Sequence, residues 1–153
     1  MRNLFITHKE ELKELVHYGM LKAEVLENPG LYNGRLGMAI LFYEYSVYCN
    51  DLLYEQFADE IIDSVLELPD NLSLNFSDGL LGIKWGMIYL SKRGFVEGDM
   101  KEVLSDIDSR INRLSLSGFN ENFSACGDMC DDKIYREDEI LGNIWKSCLY
   151  DVF

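Results

Sequence analysis

Positive charge is in short supply in this chain. Fourteen Lys and Arg stand against 27 Asp and Glu, a formal net charge of −13. A surface that negative repels phosphate backbones, which excludes nucleic acid as a primary partner. Anionic membrane is disfavoured for the same reason. Proline is scarce, with two residues, and histidine equally so, with His8 and His17. No apolar run approaches the roughly 18 residues needed to span a bilayer. The opening residues, MRNLFITHKEEL, carry no apolar signal-peptide core and become charged at once. A cytoplasmic protein is expected, with Cys49, Cys126, Cys130 and Cys148 as reduced thiols.

What is present is globular. Hydrophobic residues make up 48% and charged residues 27%, which argues against disorder. A length of 153 residues suits a single domain. At that size roughly two-thirds of the unfolded surface can be buried without staples.

Helical periodicity dominates. Between Thr7 and Glu27, Leu12, Leu15, Val16, Gly19, Ala23 and Leu26 recur at three- and four-residue steps. Thr7 with Glu10 reads as a capping box, and Asn28-Pro29-Gly30 ends the helix. Residues 35–49 are apolar nearly all round, the mark of a fully buried element. Residues 52–67 are amphipathic: Leu53, Phe57, Ala58, Ile61, Ile62, Val65 and Leu66 inward, Glu55, Asp59, Glu60 and Asp63 outward. Residues 79–92 form a second apolar segment, closed by Arg93-Gly94. Asp99 with Glu102 reads as a capping box for a helix carrying Val103, Leu104, Ile107, Ile111 and Leu114. Residues 115–133 read as a long loop. A last helix near 136–150 carries Ile140, Leu141, Ile144, Trp145, Cys148 and Leu149. The expected fold is all-α, built from hairpins that alternate buried and amphipathic helices.

An internal repeat is the most informative feature. Leu31-Tyr32-Asn33-Gly34-Arg35-Leu36-Gly37-Met38 matches Phe76-Ser77-Asp78-Gly79-Leu80-Leu81-Gly82-Ile83 at a fixed offset. Each copy precedes a buried helix. Asn33 and Asp78 are expected as N-caps. Gly37 and Gly82 are expected to let the helix start approach a neighbour closely. Gly-x-x-Gly at a helix start also suits an anion, but no Lys-Ser/Thr follows, so this is not a phosphate loop.

The stretches Gly30-Leu-Tyr-Asn-Gly-Arg-Leu-Gly-Met-Ala and Phe76-Ser-Asp-Gly-Leu-Leu-Gly-Ile-Lys-Trp-Gly resemble the repeat motif of lanthionine synthetase C-like proteins. The resemblance spans about residues 15–115 and leaves 116–153 as a C-terminal loop and helix. It implies part of an α/α toroid. It also implies, for the full-length family, thioether-forming cyclase chemistry on peptides. There a zinc ion held by two Cys and one His activates a thiol. Those ligands lie in later repeats and include a Cys-His pair, which this chain lacks. No metal ligand or catalytic residue is therefore carried over, and no cofactor is expected.

Cys126-Gly-Asp-Met-Cys130 is a weak zinc candidate without a second ligand pair. No Ser/His/Asp signature or dinucleotide fingerprint appears. The expected function is a truncated, non-catalytic family member that binds a peptide or protein. The alternative is a zinc-dependent cyclase completed by another chain, and a third reading is a gene remnant. An unclosed repeat array with the apolar end Trp145, Leu149, Tyr150, Val152 and Phe153 further leads to an expected homodimer.

Overall fold

A computed structural model describes residues 4–96, 100–116 and 136–149, with residues 4–8 and 116 described by backbone alone. Six helices run through these residues, and no strand occurs among them. They are α1 (Leu4–Val25), α2 (Arg35–Cys49), α3 (Leu52–Val65), α4 (Leu80–Lys92), α5 (Lys101–Leu116) and α6 (Glu137–Leu149). The fold is all-α. None of these helices is long and apolar enough to cross a membrane.

The apolar segment 35–49 becomes the central helix because it has no polar face to offer water. Every residue from Leu36 to Tyr43 is buried. Only its last turn emerges, at Val47, Tyr48 and Cys49. Helix α2 packs against α1, α3, α4 and α6. Asn50 stops it in a left-handed conformation (φ 55°), which Asn tolerates better than most residues. Asp51 then caps α3, its carboxylate accepting the Leu53 N–H at 3.0 Å.

The amphipathic helices turn one face each to this centre. Helix α3 buries Tyr54, Ala58, Ile61, Ile62 and Val65. Helix α5 buries Ile107 and Ile111, and α4 supplies Leu80, Leu81, Ile83, Met87 and Leu90. Fully burying such a side chain contributes roughly 1.5–3 kcal/mol. Helix α6 returns to pack on α1 and α2, burying Ile140, Ile144 and Cys148 at four-residue steps, and Leu149 beside them.

Side chains fasten the helix ends. Arg35 donates through Nη1 to the carbonyls of Ala23 (2.9 Å) and Leu26 (3.2 Å), and through Nε to Ser64 Oγ (2.8 Å). One guanidinium thus closes the C-terminal end of α1 and holds it to the end of α3. Lys22 Nζ donates to the Cys148 carbonyl at 3.1 Å, closing α6 in the same way.

One local reading of the sequence changes. Helix α1 begins at Leu4, so Thr7 lies inside the helix rather than capping it. The Asp99 cap and most of the long loop at 115–133 fall outside the described residues.

Candidate functional site

The two glycine loops share three hydrogen bonds at an offset of 45 residues. The Arg35 N–H donates to the Asn28 carbonyl (2.8 Å) as Leu80 N–H does to Ser73 (2.9 Å). The Gly30 N–H donates to Asn28 Oδ1 (2.9 Å) as Asn75 N–H does to Ser73 Oγ (3.3 Å). The Met38 N–H donates to Gly34 (3.0 Å) as Ile83 N–H does to Gly79 (3.1 Å). The loops also touch each other, Tyr32 N–H donating to the Ser77 carbonyl at 2.7 Å.

The N-caps are Gly34 and Gly79, not Asn33 and Asp78. A Cβ on Gly34 would overlap the Gly30 carbonyl, and one on Gly79 the Ser73 carbonyl. The loop folds its own backbone over the helix start, which leaves no room for a capping side chain. Asn33 instead sits one residue earlier with φ 50°, and its N–H donates to Ser147 Oγ at 2.9 Å. Its Oδ1 is buried without a hydrogen-bond partner. Asp78 does not share the left-handed backbone.

Gly37 and Gly82 are likewise backbone-contact positions. A Cβ there would overlap the carbonyl oxygens of Leu31 and Phe76 respectively. Neighbouring elements come second: Cys148 Sγ would lie 3.3 Å from the Gly37 Cβ, and Leu31 Cβ 3.1 Å from that of Gly82. The close approach is thus chiefly to each helix's own leading loop. Those loop amides that bind an anion in a phosphate site are spent here on internal carbonyls, Gly37 on Gly30 and Gly79 on Asn75 among them.

The described thiols do not fit the zinc chemistry of the resembling family. Cys148 is buried against the start of α2. Burial pushes its thiol up, against the weaker pull of the Ser147 hydroxyl, the Asn33 and Gly34 amides and Lys22. Cys49 is exposed at the end of α2. His17 Nε2 lies 2.7 Å from the Tyr54 hydroxyl, and the two rings stack. Among the described residues no three His, Cys, Asp or Glu side chains come together to hold a metal. Cys126 and Cys130 lie outside the described residues.

A groove of about 580 Å³ opens between α3 and the chain leading from α4 into α5. Tyr43, Ile62, Phe95 and Val103 give it an apolar side, with Leu66 at its margin. Phe95 stacks on Tyr43, centroids 5.0 Å apart and planes 12° apart. The Arg93 guanidinium lies 5.1 Å from the Phe95 centroid. It also forms a two-pronged bond to Glu44, Nε to Oε1 at 2.9 Å and Nη2 to Oε2 at 3.0 Å. The Tyr89 hydroxyl donates to the same Oε1 at 2.7 Å. Glu44 and Tyr89 are themselves 45 residues apart, so one repeat position grips the other.

Glu55, Asp59 and Asp63 line the other side of the groove. The Tyr43 hydroxyl donates to Asp59 Oδ1 at 2.5 Å. Burial, that bond, and the charges of Asp59, Glu55 and Asp63 all hold the Tyr43 phenol far above its ordinary range. The phenol stays protonated, facing a wall that carries three carboxylates.

No family model, no curated protein and no solved structure matches this chain. The groove therefore has to be read from its own chemistry. In the sequence Glu55, Asp59 and Asp63 read as a solvated face, with nothing to link them to Tyr43 or Phe95. The available signal was three carboxylates at four-residue steps, with no Lys or Arg set among them at that spacing.

Proposed function

We propose that this chain is a short lanthionine synthetase C-like protein that works in the cytoplasm as a non-catalytic module binding a peptide or protein segment. The groove carries the reading. It has the apolar side, the charged margin and the half-buried aromatic ring by which proteins hold a peptide. The family likeness is supported by the duplicated loops, in which Gly37 and Gly82 meet the carbonyls of the equivalent residues Leu31 and Phe76. In the cyclase alternative another chain supplies the zinc ligands; of this chain's thiols, the described Cys49 and Cys148 lie apart, one exposed and one buried.

A random peptide library selected against the pure protein tests the reading. Selected peptides should slow amide exchange in α3 and in residues 94–96 and 100–103. A library that yields no binder, or binders protecting other elements, would remove it. One zinc per chain in the pure protein would instead favour the cyclase.

The module is further proposed to be a homodimer. Helix α1 turns Tyr18, Leu21 and Val25 outward, 48%, 68% and 78% exposed, at helical steps on one stripe. A two-fold pairing buries such a stripe against its own copy. Sedimentation equilibrium at micromolar concentration should give twice the chain mass, and Leu21→Glu should give the single mass. A parent protein that sediments as a monomer would end the dimer proposal.

A further inference from the structure

We infer that the groove beside α3 receives a basic amphipathic helix of a partner protein, its Lys or Arg side chains meeting Glu55, Asp59 and Asp63 and its apolar side chains covering Phe95 and Leu66. The inference rests on the binding-module reading and names the chemistry of the partner.

Charge complementarity is the first argument. Glu55, Asp59 and Asp63 stand one turn apart on α3, spanning roughly 12 Å along its axis. Like charges at that spacing work against the helix that carries them. Elsewhere in the protein carboxylates are met by cations. Lys84 pairs with Asp108, Arg110 with Asp106, Arg93 with Glu44 and Lys92 with Glu137. Among the described residues no cation is paired with Glu55, Asp59 or Asp63. Among the described residues the stripe receives one hydroxyl bond, from Tyr43 to Asp59. A second helix with Lys at four-residue steps repeats at the same rise, about 6 Å, and can match the three carboxylates in register.

The apolar side is the second argument, and it separates a peptide from a bare cation. Phe95, Val96, Met100 and Val103 are each only partly buried at the groove. Leu66 is 42% exposed at its margin. A metal ion or a polyamine would answer the carboxylates and leave this surface wet. Apolar residues of an amphipathic helix cover it, and the methylene stems of Lys extend the same contact. Nucleic acid is ruled out as the occupant, because its phosphates would face the three carboxylates.

The test uses the full chain and two labelled peptides of about three helical turns. One carries Leu on one face and Lys on the other; its twin has Gln in place of every Lys. Binding is followed by fluorescence anisotropy at low and at moderate salt. The Lys peptide should bind at least about tenfold more tightly than its twin, and its affinity should fall as salt screens the charges. The double variant Glu55→Gln/Asp63→Asn should lose about tenfold in affinity and most of that salt dependence. Glu11→Gln/Glu24→Gln on α1 makes the same change in net charge and should bind like the parent. Circular dichroism confirms that both variants are folded. The inference is overturned if the Gln peptide binds as tightly as the Lys peptide. It is equally overturned if both double variants lose the same affinity, or if spermine displaces the Lys peptide at its own concentration. A Gln peptide that binds and protects α3 would leave the binding-module reading intact. Failure of both peptides together with an empty library selection would remove both.

Discussion

Gly82→Leu is expected to destabilise the protein by about 3 kcal/mol or more, with Gly37→Leu close behind. Overpacking is usually relieved when a flexible side chain gives way. Here the obstacle is a backbone carbonyl, that of Phe76 for Gly82 and that of Leu31 for Gly37. Each carbonyl belongs to a loop already tied by hydrogen bonds to its own helix start. Moving it breaks those bonds before any side chain can be accommodated. Even Gly82→Ala should be costly, because the Cβ itself makes the overlap. Gly142, inside α6, provides the control: a Cβ there meets nothing within 4 Å. Gly142→Ala should stabilise by roughly 0.5–1 kcal/mol through helix propensity. Urea unfolding of the four variants gives the comparison. A Gly82→Leu protein as stable as its parent would show that the loop does not lie over the helix start as described.

Leu31→Ala is expected to cost about 2–5 kcal/mol, the range for a fully buried leucine whose site cannot collapse. Leu31 is 0% exposed and sits between the two repeat copies. Its Cβ lies against Gly82 and its Cδ1 against Gly86. Its carbonyl packs on Gly37, and the next amide bonds to Ser77. The backbone on either side of the cavity is thus pinned, and little can move in to fill it. The same urea titration measures the loss. A cost below about 1 kcal/mol would mean that the loops slide together after the truncation.

The helices were legible because their patterns are local. The apolar run at 35–49 and the stripe through Ala58, Ile61, Ile62 and Val65 admit few other structures. Cys148 was legible in the same way, as one more position on the inner face of α6. The caps were less so. Asn33 has the chemistry of an N-cap, yet Gly34 occupies that place because the Gly30 carbonyl lies where a side chain would go. That approach is set by the loop's path, which a propensity scale does not contain. The groove was legible only in half. Its carboxylates follow helical spacing on α3, but Tyr43 and Phe95 reach it from other elements. Tyr43 reads as core, yet its hydroxyl reaches Asp59 on the wall of the groove.

Arg93 joins the contact between the repeats to the groove. One set of its contacts fastens α4 to α2 through Glu44; another places its guanidinium on the ring of Phe95 in the groove. Glu44 and Phe95 therefore answer to the same side chain. Loosening the grip on Glu44 frees the guanidinium that rests on Phe95, and tilting Phe95 disturbs the bond that joins the repeats. The energetic cost of a change at either residue is accordingly not its own, and the two will fail to add.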